Sequence, residues 1–84
     1  MHINLNLSNL KIGEKGIIKG YKNEDFPIKL LELGVLPGVE IEIIFVSIFY
    51  DPLCIFYNQS CLALRKKEAE NIIVEPIIIN AKNN

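Results

Sequence analysis

The chain has 84 residues, half of them apolar, and a formal net charge of −1. That length supports one small domain with a modest core, and the slight acidity gives nucleic acid no electrostatic footprint. The densest basic run, Arg65-Lys66-Lys67, is followed at once by Glu68, so it reads as a solvated helix start rather than a patch for an anionic membrane. The longest apolar-rich run, Ile43 to Tyr50, is far shorter than the roughly 20 residues a membrane-spanning helix needs. No basic segment followed by a long apolar one marks a signal peptide at the start. The expectation is a cytoplasmic protein with no direct membrane insertion and no nucleic-acid partner.

In chain order, Leu7-Ser8-Asn9-Leu10 reads as a turn that tucks two leucines under the domain. Turn chemistry from Lys11 to Gly16 leads into a first strand, Ile17 to Tyr21, where Gly20 suggests a bulge or a close backbone approach. Asn23-Glu24-Asp25 supplies candidate helix caps and Pro27 suits a first helical turn, which predicts a helix from about Asp25 to Leu33. On that helix Phe26, Leu30 and Leu33 share one stripe, while Ile28 and Leu31 form a second. Both stripes need cover: one from the barrel, the other from the N-terminal turn or a partner.

The stretch Leu30 to Gly38 is the pivot of the chain. Gly34 can end the helix in a left-handed conformation, and Pro37-Gly38 suits a turn in which Gly takes φ > 0. Val35 and Leu36 lie between these breakers, so the corner is expected to be buried, with Leu33 anchoring the helix. Leu33, Gly34, Pro37 and Gly38 are therefore read as a structural corner.

Val39 to Val46 is a strand whose alternation turns Val39, Ile41, Ile43 and Phe45 inward. Ser47 to Pro52 connects it to a hairpin of Leu53–Tyr57 and Ser60–Arg65 around Asn58-Gln59. A two-residue turn pairs Tyr57 with Ser60, Ile55 with Leu62 and Leu53 with Leu64 on the core face. The other face then carries Cys54, Phe56, Cys61 and Ala63, unusually apolar for a surface. Cys54 and Cys61 become diagonal neighbours, roughly 7–8 Å apart, beyond easy disulfide reach. Both are read as buried or half-buried small hydrophobes. A helical turn from Lys66 to Asn71 precedes a last strand, Ile72 to Glu75, which Pro76 ends; Ile77-Ile78-Ile79 and a polar end follow. Five short strands, one short helix and one helical turn predict a mainly β fold, a small and strongly bent barrel.

No nucleophile–base pair and no glycine-rich phosphate loop is present, and the single histidine is His2, so no enzyme is expected. His2, Cys54, Cys61, Glu24, Asp25 and Glu32 show no metal-ligand spacing, so no metal or cofactor is expected either.

With these elements placed, the sequence resembles the FeoA family, accessory proteins of bacterial ferrous iron uptake. The matching pieces are Leu7-Ser8-Asn9-Leu10-Lys11-Ile12-Gly13, the corner from Lys29 to Gly38, Asp51-Pro52-Leu53, Leu62-Ala63-Leu64-Arg65-Lys66-Lys67-Glu68-Ala69, and Ile72-Ile73-Val74. The resemblance spans about residues 7 to 75 of a single domain, residues 1–84, leaving 76–84 as a tail. It implies an SH3-like five-stranded barrel acting, without catalysis, beside FeoB, a membrane protein that carries a GTPase domain and the transport path. Similar barrels end DtxR-type metal-dependent repressors, which makes a detached, metal-responsive regulatory domain that binds a transition metal ion the alternative reading. Departures from the family pattern are the Asn58-Gln59 turn, where glycine is common, the apolar outer hairpin face, and the Ile77-Ile78-Ile79 tail.

The surplus of apolar surface points to an interaction module. Candidate partner contacts are Ile28 and Leu31 on the second helix stripe and Phe49 and Tyr50 in the Ser47–Pro52 loop, where an exposed aromatic pair suits an interface anchor. The hairpin face or the Ile77–Ile79 tail could also join a second copy of the chain.

Overall fold

The computed structural model describes residues 5–23 and 27–78, apart from the Tyr50 side chain. The strands are β1 (Leu5–Asn6), β2 (Lys15–Tyr21), β3 (Glu40–Val46), β4 (Leu53–Tyr57), β5 (Ser60–Leu64) and β6 (Ile72–Ile77). They form one antiparallel sheet in the order β1-β6-β2-β3-β4-β5. The helices are α1 (Ile28–Glu32) and α2 (Lys66–Glu70), with 3-10 turns at Leu7–Asn9 and Ile48–Tyr50. The architecture is thus mainly β and SH3-like, with six strands among the described residues rather than five. The additional strand, β1, described over Leu5–Asn6, pairs with Ile73 and Val74.

The β4–β5 hairpin has the register its sequence dictates: Tyr57 opposite Ser60, Ile55 opposite Leu62, Leu53 opposite Leu64. Asn58 and Gln59 both take positive φ, +47° and +63°, the backbone of a turn whose twist matches that of its strands. Leu53, Ile55 and Leu64 are fully buried, as are Leu7, Leu30, Val35, Ile41, Ile43, Ile72 and Val74. Each such side chain contributes about 1.5–3 kcal/mol by leaving water. The Leu7–Asn9 turn does tuck Leu7 and Leu10 into this core, and the Asn6 side chain caps it by accepting from the Ser8 N–H at 2.9 Å.

Two strands break register. In β2 the ladder skips between Ile18 and Gly20, as Gly20 suggested. In β3 it skips between Ile43 and Phe45, which the alternation did not announce. Ile44 is the extra residue there, and inserting one residue reverses every later side chain. Phe45 is consequently 50% exposed, and Val46 packs against the core in its place, opposite buried Leu53.

Pro76 does not end the last strand. It lies inside β6, paired with Gly16 of β2. Among the described residues β1 pairs with β6 at Ile73 and Val74. Helix α1 starts at Ile28, with Pro27 as its extended N-cap. Glu24, Asp25 and Phe26, read as caps and core, lie outside the described residues.

Candidate functional site

The corner from α1 to β3 is built as its residues demand. Leu33 closes α1, Gly34 follows at φ +84°, and the Val35 N–H reaches back to the Leu30 carbonyl at 3.0 Å while the Gly34 N–H reaches Leu31 at 3.1 Å. These two bonds make a Schellman cap, whose apolar partners, Leu30 and Val35, are both fully buried. Pro37 and Gly38 then turn the chain, Gly38 at φ +94°, with the Val39 N–H bonded to the Leu36 carbonyl at 3.1 Å. This is a turn with Pro second and a left-handed Gly third.

Two parts of the corner depart from expectation. Leu36 is 41% exposed, and Leu33, read as the anchor of the helix, is 44% exposed. The helix is only Ile28–Glu32, so Leu33 has left the buried stripe and serves through its backbone. Its carbonyl accepts from the Tyr57 hydroxyl at 2.7 Å, and the Val35 carbonyl accepts from the Tyr21 hydroxyl. Two tyrosines from the sheet therefore hold the corner. Sequence reasoning missed both, because a strand tyrosine looks like any other core aromatic. Burial pushes the Tyr21 pKa above its ordinary value of 10.0.

The second candidate region is the loop between β3 and β4. Phe49 is 84% exposed and Ile48 76%. Phe49 also has φ +66°, a left-handed backbone that a bulky aromatic seldom adopts. The Tyr50 side chain lies outside the described residues.

Asp51 braces this loop. Its carboxylate accepts from Arg65 Nε at 3.2 Å and Arg65 Nη2 at 3.3 Å, and from the Lys66 backbone N–H at 3.2 Å. Arg65 precedes α2 and cannot itself accept the helix's free N–H groups, so Asp51 caps α2 from a distant loop. Glu68 completes the cap by accepting from the Arg65 N–H at 2.9 Å. The acid beside the aromatics and the Arg before the helix were visible in the sequence; their pairing was not.

Helix α2 stands between the two candidate contacts. On one side Glu68 pairs with Lys29 of α1 at 3.4 Å, next to Ile28, which is 68% exposed. On the other, Lys66 and Glu70 line a cleft with Phe49, Asn6, Ser8 and Asn9. Leu31 is half-buried and packs against the core. On the outer face of the hairpin Phe56, Cys61 and Ala63 are exposed and Cys54 is half-buried; Cys61 is thus not the half-buried residue expected, because among the described residues β5 has no outer neighbour. Both thiols are free. Among the described residues no three His, Cys, Asp or Glu side chains gather as a metal would need, and no helix is long and apolar enough to cross a membrane. His2 lies outside them.

The FeoA domain model matches residues 5–76. The chain belongs to the FeoA family. A FeoA-like protein from Clostridium acetobutylicum has 27% identity and a TM-score of 0.84, with 99% of this chain and 98% of that one covered. A Stenotrophomonas maltophilia FeoA solved with zinc, described as an SH3 domain protein, has 23% identity and a TM-score of 0.72, with 83% and 88% covered. A manganese-dependent transcriptional repressor shares the fold, at 12% identity and a TM-score of 0.80, over 92% of this FeoA chain and 44% of the repressor. No curated protein matches. The family is associated with ferrous iron transport.

Proposed function

We propose that this FeoA protein is a non-catalytic, cytoplasmic docking module for a FeoB-type ferrous iron transporter, with Phe49 and Tyr50 as the main contact and Ile28 as a flanking one. The observation that carries this reading is Phe49: an aromatic 84% exposed at φ +66°, on a loop tied to α2 by the Asp51–Arg65 pair. A left-handed phenylalanine costs about 1–3 kcal/mol and persists only where the surroundings enforce it. Exposed and pre-organised, such a ring loses little freedom on binding. Leu31, being packed against the core, is not part of the proposed contact.

The metal-responsive alternative rests on the repressor-like fold and on a FeoA relative solved with zinc, whereas the docking reading rests on a residue of this chain, so the docking reading is preferred. Replacing both aromatics, Phe49→Ala with Tyr50→Ala, weakens binding to the cytoplasmic part of FeoB at least tenfold, or about 1.4 kcal/mol, while circular dichroism shows the fold intact. Unchanged binding would sink the assignment.

A further inference from the structure

Among the described residues the sheet ends on one side in β1. At the other edge lies β5, Ser60-Cys61-Leu62-Ala63-Leu64. It has no charge, no proline and an unbroken register with β4, so among the described residues none of the usual protections is present.

Its free hydrogen-bonding groups can be assigned. Tyr57 and Ser60 flank a two-residue turn, so they form a hydrogen-bonded pair, and such pairs alternate along an antiparallel ladder. Ile55–Leu62 and Leu53–Leu64 are the next bonded pairs. The backbone N–H and C=O groups of Cys61 and Ala63 therefore point away from β4, to the open edge. Their side chains lie on the outer face in apolar rows, Ala63 with Cys54 and Phe45, Cys61 with Phe56.

We infer that β5 pairs antiparallel with β5 of a second copy about a two-fold axis at Leu62. In that register Cys61 lies opposite Ala63 of the other copy, so the residues with outward groups meet each other, and all five positions of each strand are paired. No like charges oppose along the uncharged seam. Beyond it, Arg65 and Lys66 come beside the Gln59 and Asn58 tip of the other copy. That tip lines a groove with Glu40, Glu42 and Lys15, which pairs with Glu40 at 3.9 Å, so polar groups close each end of the seam. The outer apolar rows become continuous across both copies. This pairing is independent of the Phe49 contact, which lies on the loop before β4.

Sedimentation of the full chain tests it, with Ala63→Pro as the variant. Proline there removes only an outward N–H and spares the β4 ladder. The expected result is a dimer for the parent and a monomer for Ala63→Pro, with an unchanged circular dichroism spectrum and a melting temperature that no longer rises with protein concentration. As a second measurement that leaves the backbone untouched, a short bismaleimide is applied to Cys54→Ser, whose remaining thiol is Cys61. The two Cys61 residues would be diagonal neighbours, roughly 7–8 Å apart, and a covalent dimer is expected that Cys61→Ser abolishes. A parent that sediments as a monomer would hand the edge to a strand of a different protein and overturn the pairing, as would a dimer that survives Ala63→Pro or resists cross-linking.

Discussion

The corner and the Phe49 loop use the same backbone device to opposite ends. Each turns the chain through a left-handed residue: Gly34 and Gly38 in the corner, Phe49 in the loop. The corner uses glycine where no side chain is wanted, buries Leu30 and Val35 beneath it, and is held by two tyrosine hydroxyls. The loop places a large ring at the strained position, leaves it in water, and is held by a surface carboxylate. Burial with low strain is how a scaffold is made. Strain with exposure is how a fold presents something.

The largest way to break that contrast is at Gly34. A Cβ there meets no atom within 4 Å, yet φ is +84°, so the cost of Gly34→Val is backbone strain rather than collision. We expect a loss of about 1–3 kcal/mol in urea unfolding, and partner binding that falls only as the folded fraction falls. Binding abolished at an unchanged melting temperature would turn the corner from scaffold into site.

The corner was also where the sequence was most legible. Glycine and proline leave few backbone choices, so the cap at Gly34 and the turn at Pro37-Gly38 follow from residue type alone. Asn58-Gln59 and strict alternation likewise give the hairpin register. What stayed hidden depended on distant partners. The bulge at Ile44 is a property of the β3–β4 pair, and it moved Phe45 outward without any glycine to mark it. Pro76 stays in β6, paired with Gly16 of β2, and a proline does not announce such a place within a strand. Of the candidate contacts, Phe49 and Ile28 are exposed and Leu31 is packed, a distinction that two stripes on a five-residue helix cannot make. The Asp51–Arg65 brace joins residues from separate loops, and no local pattern encodes it.

A smaller effect probes how the corner is held. Burial raises the Tyr21 pKa above 10.0, so the folded state keeps the phenolic proton where the unfolded chain has lost it. That contribution to stability is fully present below the unfolded pKa and is lost as pH rises from about 10 through the folded value. Tyr21→Phe removes the bond to Val35, costs about 1 kcal/mol at neutral pH, and flattens the alkaline decline in a series of melting curves. A decline of unchanged steepness would assign the alkaline sensitivity to other groups.

The smallest expected effect on stability sharpens the contrast most, because it separates holding the loop from holding the fold. Arg65 is 69% exposed at its side chain, and an exposed ion pair contributes about 0–1 kcal/mol. Arg65→Ala should therefore leave the melting temperature within a few degrees of the parent. The Asp51 carboxylate keeps its bond to the Lys66 N–H, so α2 stays capped. What is lost is the lateral tie that fixes the loop carrying Phe49. If the ring binds because it is pre-organised, freeing the loop adds an ordering cost on binding, and affinity for the transporter falls mainly through faster dissociation. Arg65→Lys, which keeps the charge but not the two-point contact, should restore only part of the affinity. A charge acting by long-range attraction alone would instead slow association, weaken with salt, and be rescued by lysine. Kinetics of the two variants at two salt concentrations distinguish a brace from a mere charge.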